Sequence, residues 1–389
     1  MKILKYLPTI FAKGLVNIAF RLCSIFFRIN EKKVTFASYR AELLTGNLGF
    51  VYRELQLQKP DMECHFLFKK LKTTKLGKMD YLIHMVRASY HLATSRYFLI
   101  DDYYFPVYAI KPRTGMDIVQ LWHAAGAFKK FGLSTVDKPF GPSSEYLKYI
   151  KVHSNYTKAI VSSTGVIPYY AEAFGMKTDK IFPLGVPRTD YFFDQDAHSV
   201  LKERFYQTFP KLKGKTLILY APTFRGKSHY QTSFALPLDI KVLHQNLGND
   251  YAILIHLHPY MRGDLEIKQE DSEFAYHIDG GFNIEELMVL SDMLLTDYSS
   301  VIFDYSLLCR PIAFIADDLE EYKLERDFYF PFETFIPGPF FSCTEELCQW
   351  VNREEYDLAK VEAFRDRFFD FHDGMSSYRI VHHLMGNSK

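Results

Sequence analysis

The sequence lacks an excess of either charge: 47 Lys and Arg stand against 46 Asp and Glu in 389 residues. A balance this close to zero excludes a global field that would draw the chain to nucleic acid or to an acidic polymer, so any basic patch must be local. Cysteine is scarce. Cys23, Cys64, Cys309, Cys343 and Cys348 are odd in number and scattered, with no Cys-x-x-Cys pair and no histidine at zinc spacing. That pattern speaks against a structural metal and fits a reducing, cytoplasmic setting. Internal repeats and low-complexity tracts are absent as well. What remains is 48% hydrophobic and 24% charged, the make-up of an ordinary folded enzyme with material for two domains. The 27 Tyr and 35 Phe are spread along the chain and read as core.

Also missing is an uninterrupted apolar run of membrane-spanning length. In the first thirty residues Lys2, Lys5, Lys13, Arg21 and Arg28 break every apolar stretch, and a span needs about 20 apolar residues. At about 100° per residue these cations fall within an arc of roughly 160°, with Leu4, Leu7, Phe11, Leu15, Ile18, Leu22 and Ile25 clustered opposite. The pattern predicts an amphipathic helix lying in an anionic membrane interface, with Pro8 in its first turn. A helix of the same pattern packed on its own domain is the alternative. No small-residue cleavage site follows, which disfavours a removable signal peptide.

Beyond residue 30 short β-rich runs alternate with helical stretches, the signature of parallel sheets with crossover helices. Strands are predicted at Val34–Ser38, His65–Phe68, Tyr97–Asp101, Asp117–Trp122 and Ala159–Ser162, then at Thr216–Tyr220, Ala252–His256, Met293–Leu295 and Ile312–Phe314. The charged stretch before Thr216 places a domain boundary near residue 200. The expected organisation is therefore a segment 1–30, a domain 31–200 and a domain 201–389, two Rossmann-like halves facing one cleft.

Ligands gather at the carboxyl ends of such strands, and four segments there carry chemistry. The strand at Asp117 leads into Trp122-His123-Ala-Ala-Gly126-Ala-Phe-Lys129. A histidine at that mouth can take a proton from a hydroxyl near neutral pH, although a hydrogen-bonded strand-end histidine is an equal reading. The strand at Thr216 runs into Ala221-Pro222-Thr223-Phe224-Arg225, where a hydroxyl and a guanidinium suit phosphate. Tyr251 to His258 ends in alternating histidines without a third zinc ligand, so His258 is read as a donor to phosphate oxygen and His256 as structural. Most specific is Asn283 to Asp304. A capping box at Asn283 and Glu286 opens a helix, a short strand follows, and Thr296-Asp297-Tyr298-Ser299-Ser300 turns into another helix. Backbone N–H groups and two hydroxyls in that turn favour a diphosphate over simple serine capping.

Together with Leu184-Gly185-Val-Pro187-Arg188-Thr-Asp190, Arg310-Pro311, Asp318-x-x-x-Tyr322 and Pro337-Gly338-Pro339, these ordered motifs resemble the CDP-glycerol glycerophosphotransferases, the teichoic-acid primases and polymerases of Gram-positive bacteria. The resemblance covers nearly all of the chain after residue 30. It implies a GT-B-like α/β fold, with CDP-glycerol held mainly by the C-terminal half and a polyprenyl-diphosphate-linked saccharide acceptor presented by the N-terminal half. It implies His123 and His258 as catalytic histidines. Arg188, Thr223, Arg225, Thr296, Asp297, Ser299, Ser300 and Asp318 are then expected at the donor, with Gly126 and Lys129 on the acceptor side. The Trp-His-Ala-Ala-Gly wording is similar to priming members, where polymerising members have Trp-His-Gly-Thr-Pro. The expected reaction is transfer of glycerol phosphate to a lipid-linked disaccharide with release of CMP, at the cytoplasmic face of the membrane, with other teichoic acid enzymes as candidate neighbours. No protein-bound metal or other cofactor is expected, and nucleotide-borne magnesium would be compatible. Rival readings are a glycerol- or ribitol-phosphate polymerase, a sugar-nucleotide glycosyltransferase of the same architecture, and a catalytically silent membrane scaffold.

Overall fold

Every strand anticipated from the alternation is present in the computed structural model, which describes residues 3–72, 74–223, 236–258, 261, 265 and 267–386. The first sheet is β1 (Asn30–Ser38), β2 (Glu63–Phe68), β3 (Ser95–Ile100), β4 (Asp117–Gln120), β5 (Lys158–Val161) and β6 (Ile181–Pro183), in the order β2-β1-β3-β4-β5-β6. The second is β7 (Thr216–Tyr220), β8 (Tyr251–Ile255), β9 (Ala275–His277), β10 (Met293–Thr296), β11 (Ile312–Ile315) and β12 (Phe340–Phe341), in the order β12-β11-β10-β7-β8-β9. All pairings are parallel. Three strands escaped the sequence reading, β6, β9 and β12. Each is two or three residues long at a sheet edge, too short to show a period.

The chain divides into one unit of Met1–Asp190 with Met375–Lys389 and another of Tyr191–Gly374. The boundary expected near residue 200 thus falls ten residues earlier, and the C-terminal helix Ser376–Met385 belongs to the first unit rather than the second. Its Ile380, Val381, Leu384 and Met385 join Val34, Phe36, Leu48, Leu55, Tyr97, Leu99 and Val119 in the first core. Asp190 fixes its start, accepting from the backbone N–H of Ser376 and of Ser377, each at 2.8 Å. Gly185, at φ +97°, lies so close that a Cβ there would collide with Ser376. Much of the Leu184 to Asp190 motif is therefore the seat of the last helix. Burial raises the Asp190 carboxyl, against the pull of the Ser377 and Ser376 groups.

In the second unit Ile218, Tyr220, Ile253, Ile255, Leu295 and Ala313 of the sheet pack with Leu243, Leu347 and Val351 of two covering helices. Arg310 closes the helix Ile284–Leu290 by donating to the carbonyls of Met288, Val289 and Ser291, which explains the Arg310-Pro311 motif structurally.

The N-terminal helix α1 (Leu7–Phe26) begins with Pro8 in its first turn, as expected. It is long and apolar enough to cross a membrane by length and composition, yet it lies on the first unit. Val16 and Phe20 are buried, Lys13 donates to the Tyr149 carbonyl at 2.6 Å and Asn17 to that of Ala109 at 2.8 Å. The stripe of Leu4, Leu7, Phe11, Ile18, Leu22 and Ile25 faces outward. The helix is thus docked by the side that carries Lys13, and its apolar stripe has no cover among the described residues of the unit.

Candidate functional site

Strand order decides where each unit can bind a ligand. In the first sheet the connections run one way from β1 to β2 and the other way from β3 onward, so the crevice at the switch point opens beyond Ser38 and Ile100. The residues there are Ser38 and Arg40 after β1, and Asp101 and Asp102 after β3. His123, after β4, joins them: its Nδ1 lies 3.2 Å from Asp102 Oδ2, and Arg40 reaches the same oxygen at 3.2 Å. The Asp102 side chain is 5% exposed and that of His123 38%. Burial pushes the Asp102 carboxyl up, but His123 and Arg40 outweigh it and hold the group below the usual carboxylate range. Asp101 has weaker compensation, and burial pushes it up to about 6.

A left-handed residue sets the histidine at this mouth. Trp122 has φ +53°, so β4 ends at Gln120 instead of continuing to Trp122 as the sequence pattern suggested. The strain, of order 1–3 kcal/mol for a bulky residue, is held by packing and hydrogen bonds. The indole meets Phe131, His153 and Phe174 at ring separations of 5.2, 5.8 and 5.3 Å. The Trp122 backbone N–H donates to Gln120 Oε1, whose amide donates to the Asp102 carbonyl. The Trp122 carbonyl accepts from Asn47 Nδ2 at 2.8 Å, and Asn47 Oδ1 accepts the Arg188 N–H at 3.0 Å. Asn47 thereby ties the His123 turn to the Arg188 loop of the same unit.

The acceptor-side motif positions lie on the loop that follows His123. Gly126 is buried, and its carbonyl, with that of Ala124, accepts from the Tyr170 hydroxyl. Lys129 is half-buried on the same loop, which Ser162 pins through the Ala125 carbonyl.

In the second sheet the switch point lies between β7 and β10, where Thr223 and Asp297 emerge. Asp297 accepts the Thr223 N–H at 2.8 Å and the Tyr298 N–H at 2.6 Å, while Thr296 Oγ1 donates to the Ala221 carbonyl at 2.6 Å. Thr296 and Asp297 therefore stitch the two central loops together. Tyr298 stacks on Tyr322 at 4.0 Å and donates to Asp318 at 3.0 Å, so Asp318 braces the Ser299 turn from the neighbouring strand. Ser299 and Ser300 stand at the start of the helix Val301–Ser306, Ser299 half-buried and Ser300 exposed. His258, exposed, follows β8 on the same edge, whereas the His256 ring is hydrogen-bonded to the Ile278 carbonyl at 2.9 Å. Arg225 lies outside the described residues.

Among the described residues, His123 and Arg188 follow strands of the first sheet, and Thr223, His258, Asp297, Ser299, Ser300 and Asp318 follow strands of the second. What the sequence reading missed is Asp102, Arg40 and Asn47. The only signal was the acidic pair at the end of a predicted strand.

A family profile described as CDP-Glycerol:Poly(glycerophosphate) glycerophosphotransferase matches residues 18–386. The teichoic acid ribitol-phosphate primase of Bacillus spizizenii is 45% identical over 380 residues, 97% of each chain. The teichoic acid glycerol-phosphate primase of Bacillus subtilis is 29% identical over 302 residues, 78% of this chain and 76% of that one. The solved wall teichoic acid polymerase TagF shares the fold, with a TM-score of 0.74, 22% identity, and coverage of 92% of this chain and 89% of that one. With a matching profile over nearly its whole length and a full-length relative at 45% identity, this chain belongs to the CDP-glycerol:poly(glycerophosphate) glycerophosphotransferase family of teichoic acid synthesis.

Proposed function

We propose that the protein is a primase-type transferase that moves one alditol phosphate from a CDP-alditol to a lipid-linked saccharide, releasing CMP. The observation that carries this reading is the pairing of His123 with buried Asp102 at the carboxyl edge of the first sheet. With Nδ1–H directed to Asp102, Nε2 is left to accept a proton from an acceptor hydroxyl. The hydroxyl oxygen bonds to the β-phosphorus, the bond from that phosphorus to the bridging oxygen breaks, and its electron pair leaves with CMP. The proton passes to His123. Charge in the transition state sits on nonbridging oxygens, so donors matter more than covalent help. His258, Ser299, Ser300, Thr223, Arg188 and Arg225 are assigned that part, and Asp297 and Asp318 hold the loops that present them.

Ribitol is favoured as the alcohol, because identity is 45% to the ribitol-phosphate primase and 29% to the glycerol-phosphate primase. Glycerol, the expectation from the motifs, is the second reading. The protein is further proposed to work at an anionic membrane surface, resting there on the outward stripe of α1.

The test is mass spectrometry of a lipid-linked disaccharide analogue incubated separately with CDP-ribitol, CDP-glycerol and UDP-sugars. A single ribitol-phosphate increment with CMP release is expected. A ladder of increments would make the protein a polymerase, and UDP release would make it a glycosyltransferase.

A further inference from the structure

We propose that α3 (Lys75–Thr94) is a second bilayer-contacting helix beside α1, so that the first unit meets anionic lipid through two apolar stripes. This rests on the membrane-surface reading above and adds a site to it. At about 100° per residue, Leu76, Met79 and Ile83 fall within an arc of roughly 60°. They are 84%, 59% and 63% exposed. The other side of α3 is buried through Tyr81, Met85, Ala88 and Leu92, so the exposed stripe is not needed for the fold. The two helices are in contact: Ser89 Oγ donates to the Val16 carbonyl at 3.1 Å, and Phe27 meets Tyr90 edge-on at 5.3 Å.

Charge selects the occupant. Residues 1–30 contain no carboxylate side chain, and α3 contains one, Asp80, which Lys69 neutralises at 2.5 Å. Around the α3 stripe stand Lys72, Lys75 and Arg87, all exposed. Aliphatic side chains flanked by cations, with a single carboxylate, Asp80, itself paired to Lys69, suit an anionic bilayer, which accepts apolar groups in any register. A protein partner would instead require shaped pockets and polar pairing.

The experiment is sedimentation of the full-length protein with vesicles of phosphatidylglycerol and phosphatidylcholine in equal parts. Leu76→Ser/Met79→Ser/Ile83→Ser is expected to lower partitioning at least about 10-fold while leaving the melting temperature within experimental scatter, because the side chains are exposed. Ile83→Trp should be quenched by brominated lipid, as should Ile18→Trp on α1. Wild-type binding by the triple variant together with an unquenched Ile83→Trp would overturn the α3 proposal. If α1 substitutions still released the protein, the single-helix reading would survive that result. Failure of the intact protein to bind these vesicles would sink both.

Discussion

Asp102 stands behind His123, its Oδ2 3.2 Å from Nδ1, and Arg40 grips the same oxygen from the neighbouring strand's loop. A carboxylate so placed fixes the imidazole tautomer and stabilises the imidazolium formed when a proton is taken.

His123→Ala should lower turnover by roughly 100- to 10,000-fold, the usual share of a positioned base. CDP-alditol binding, measured by calorimetry, should be nearly unchanged, because the donor is assigned mainly to the second unit. Asp102→Asn should cost at least about 10-fold in turnover, less than the loss of the base itself. A split between kcat and KM discriminates positioning from bulk stability: kcat should fall while the KM for the CDP-alditol and the melting temperature stay nearly unchanged. Unchanged turnover would leave Asp102 a structural residue.

At the donor edge, Ser299→Ala with Ser300→Ala should raise the KM for the CDP-alditol and lower kcat together, since donors that tighten on the transferring phosphate act on both. Steady-state kinetics with normal values for both would move the diphosphate site elsewhere. Asp297→Ala should act differently, loosening the Thr223 and Tyr298 loops and reducing thermal stability as well as activity.

Stability should fall on mild acidification. Burial pushes His84 down to about 4, and His91 and His153 to about 3. Each stays neutral in the fold, while the unfolded chain takes up protons from an ordinary pKa of 6.5 downward. Their contribution is therefore intact above that value and lost as pH falls toward the folded values, by about 1.4 kcal/mol per pH unit per histidine. Asp101, raised from 3.8 to about 6, works the other way across that interval, so three histidines against one carboxyl leave a net loss. Melting temperatures between pH 7 and pH 4 measure the slope, and His153→Phe should flatten it.

Asp190→Ala should free the first turn of the C-terminal helix and cost about 1–2 kcal/mol, the range for a lost helix cap. Denaturant melts measure this. A variant as stable as the parent would mean that the packing of Ile380, Val381 and Leu384 alone seats the helix.

Local order alone made much of the protein legible. β7, Thr216–Tyr220, emerged from its own run of β-branched and apolar residues, and the Asn283 capping box from a spacing of three. The motifs at His123, Thr223, His258 and Ser299 stand after strands because a parallel sheet buries its strands and leaves their ends to the loops. Strand order was not legible, since no residue states which neighbour its strand will take. Only the tertiary structure placed β1 beside β3 and β4 beside β3, and so brought Arg40, Asp102 and His123 together from positions far apart in the chain. The same holds for Asp190, whose carboxylate reads in sequence as one more polar group of a binding motif. In the fold it holds Ser376, because the last helix returns to bury its apolar face on the first sheet. Sequence determined which chemistry the protein carries. The sheet order decided which carboxylate stands behind the histidine, since hydrogen bonds of about 3 Å are set by the register of distant strands and not by spacing along the chain.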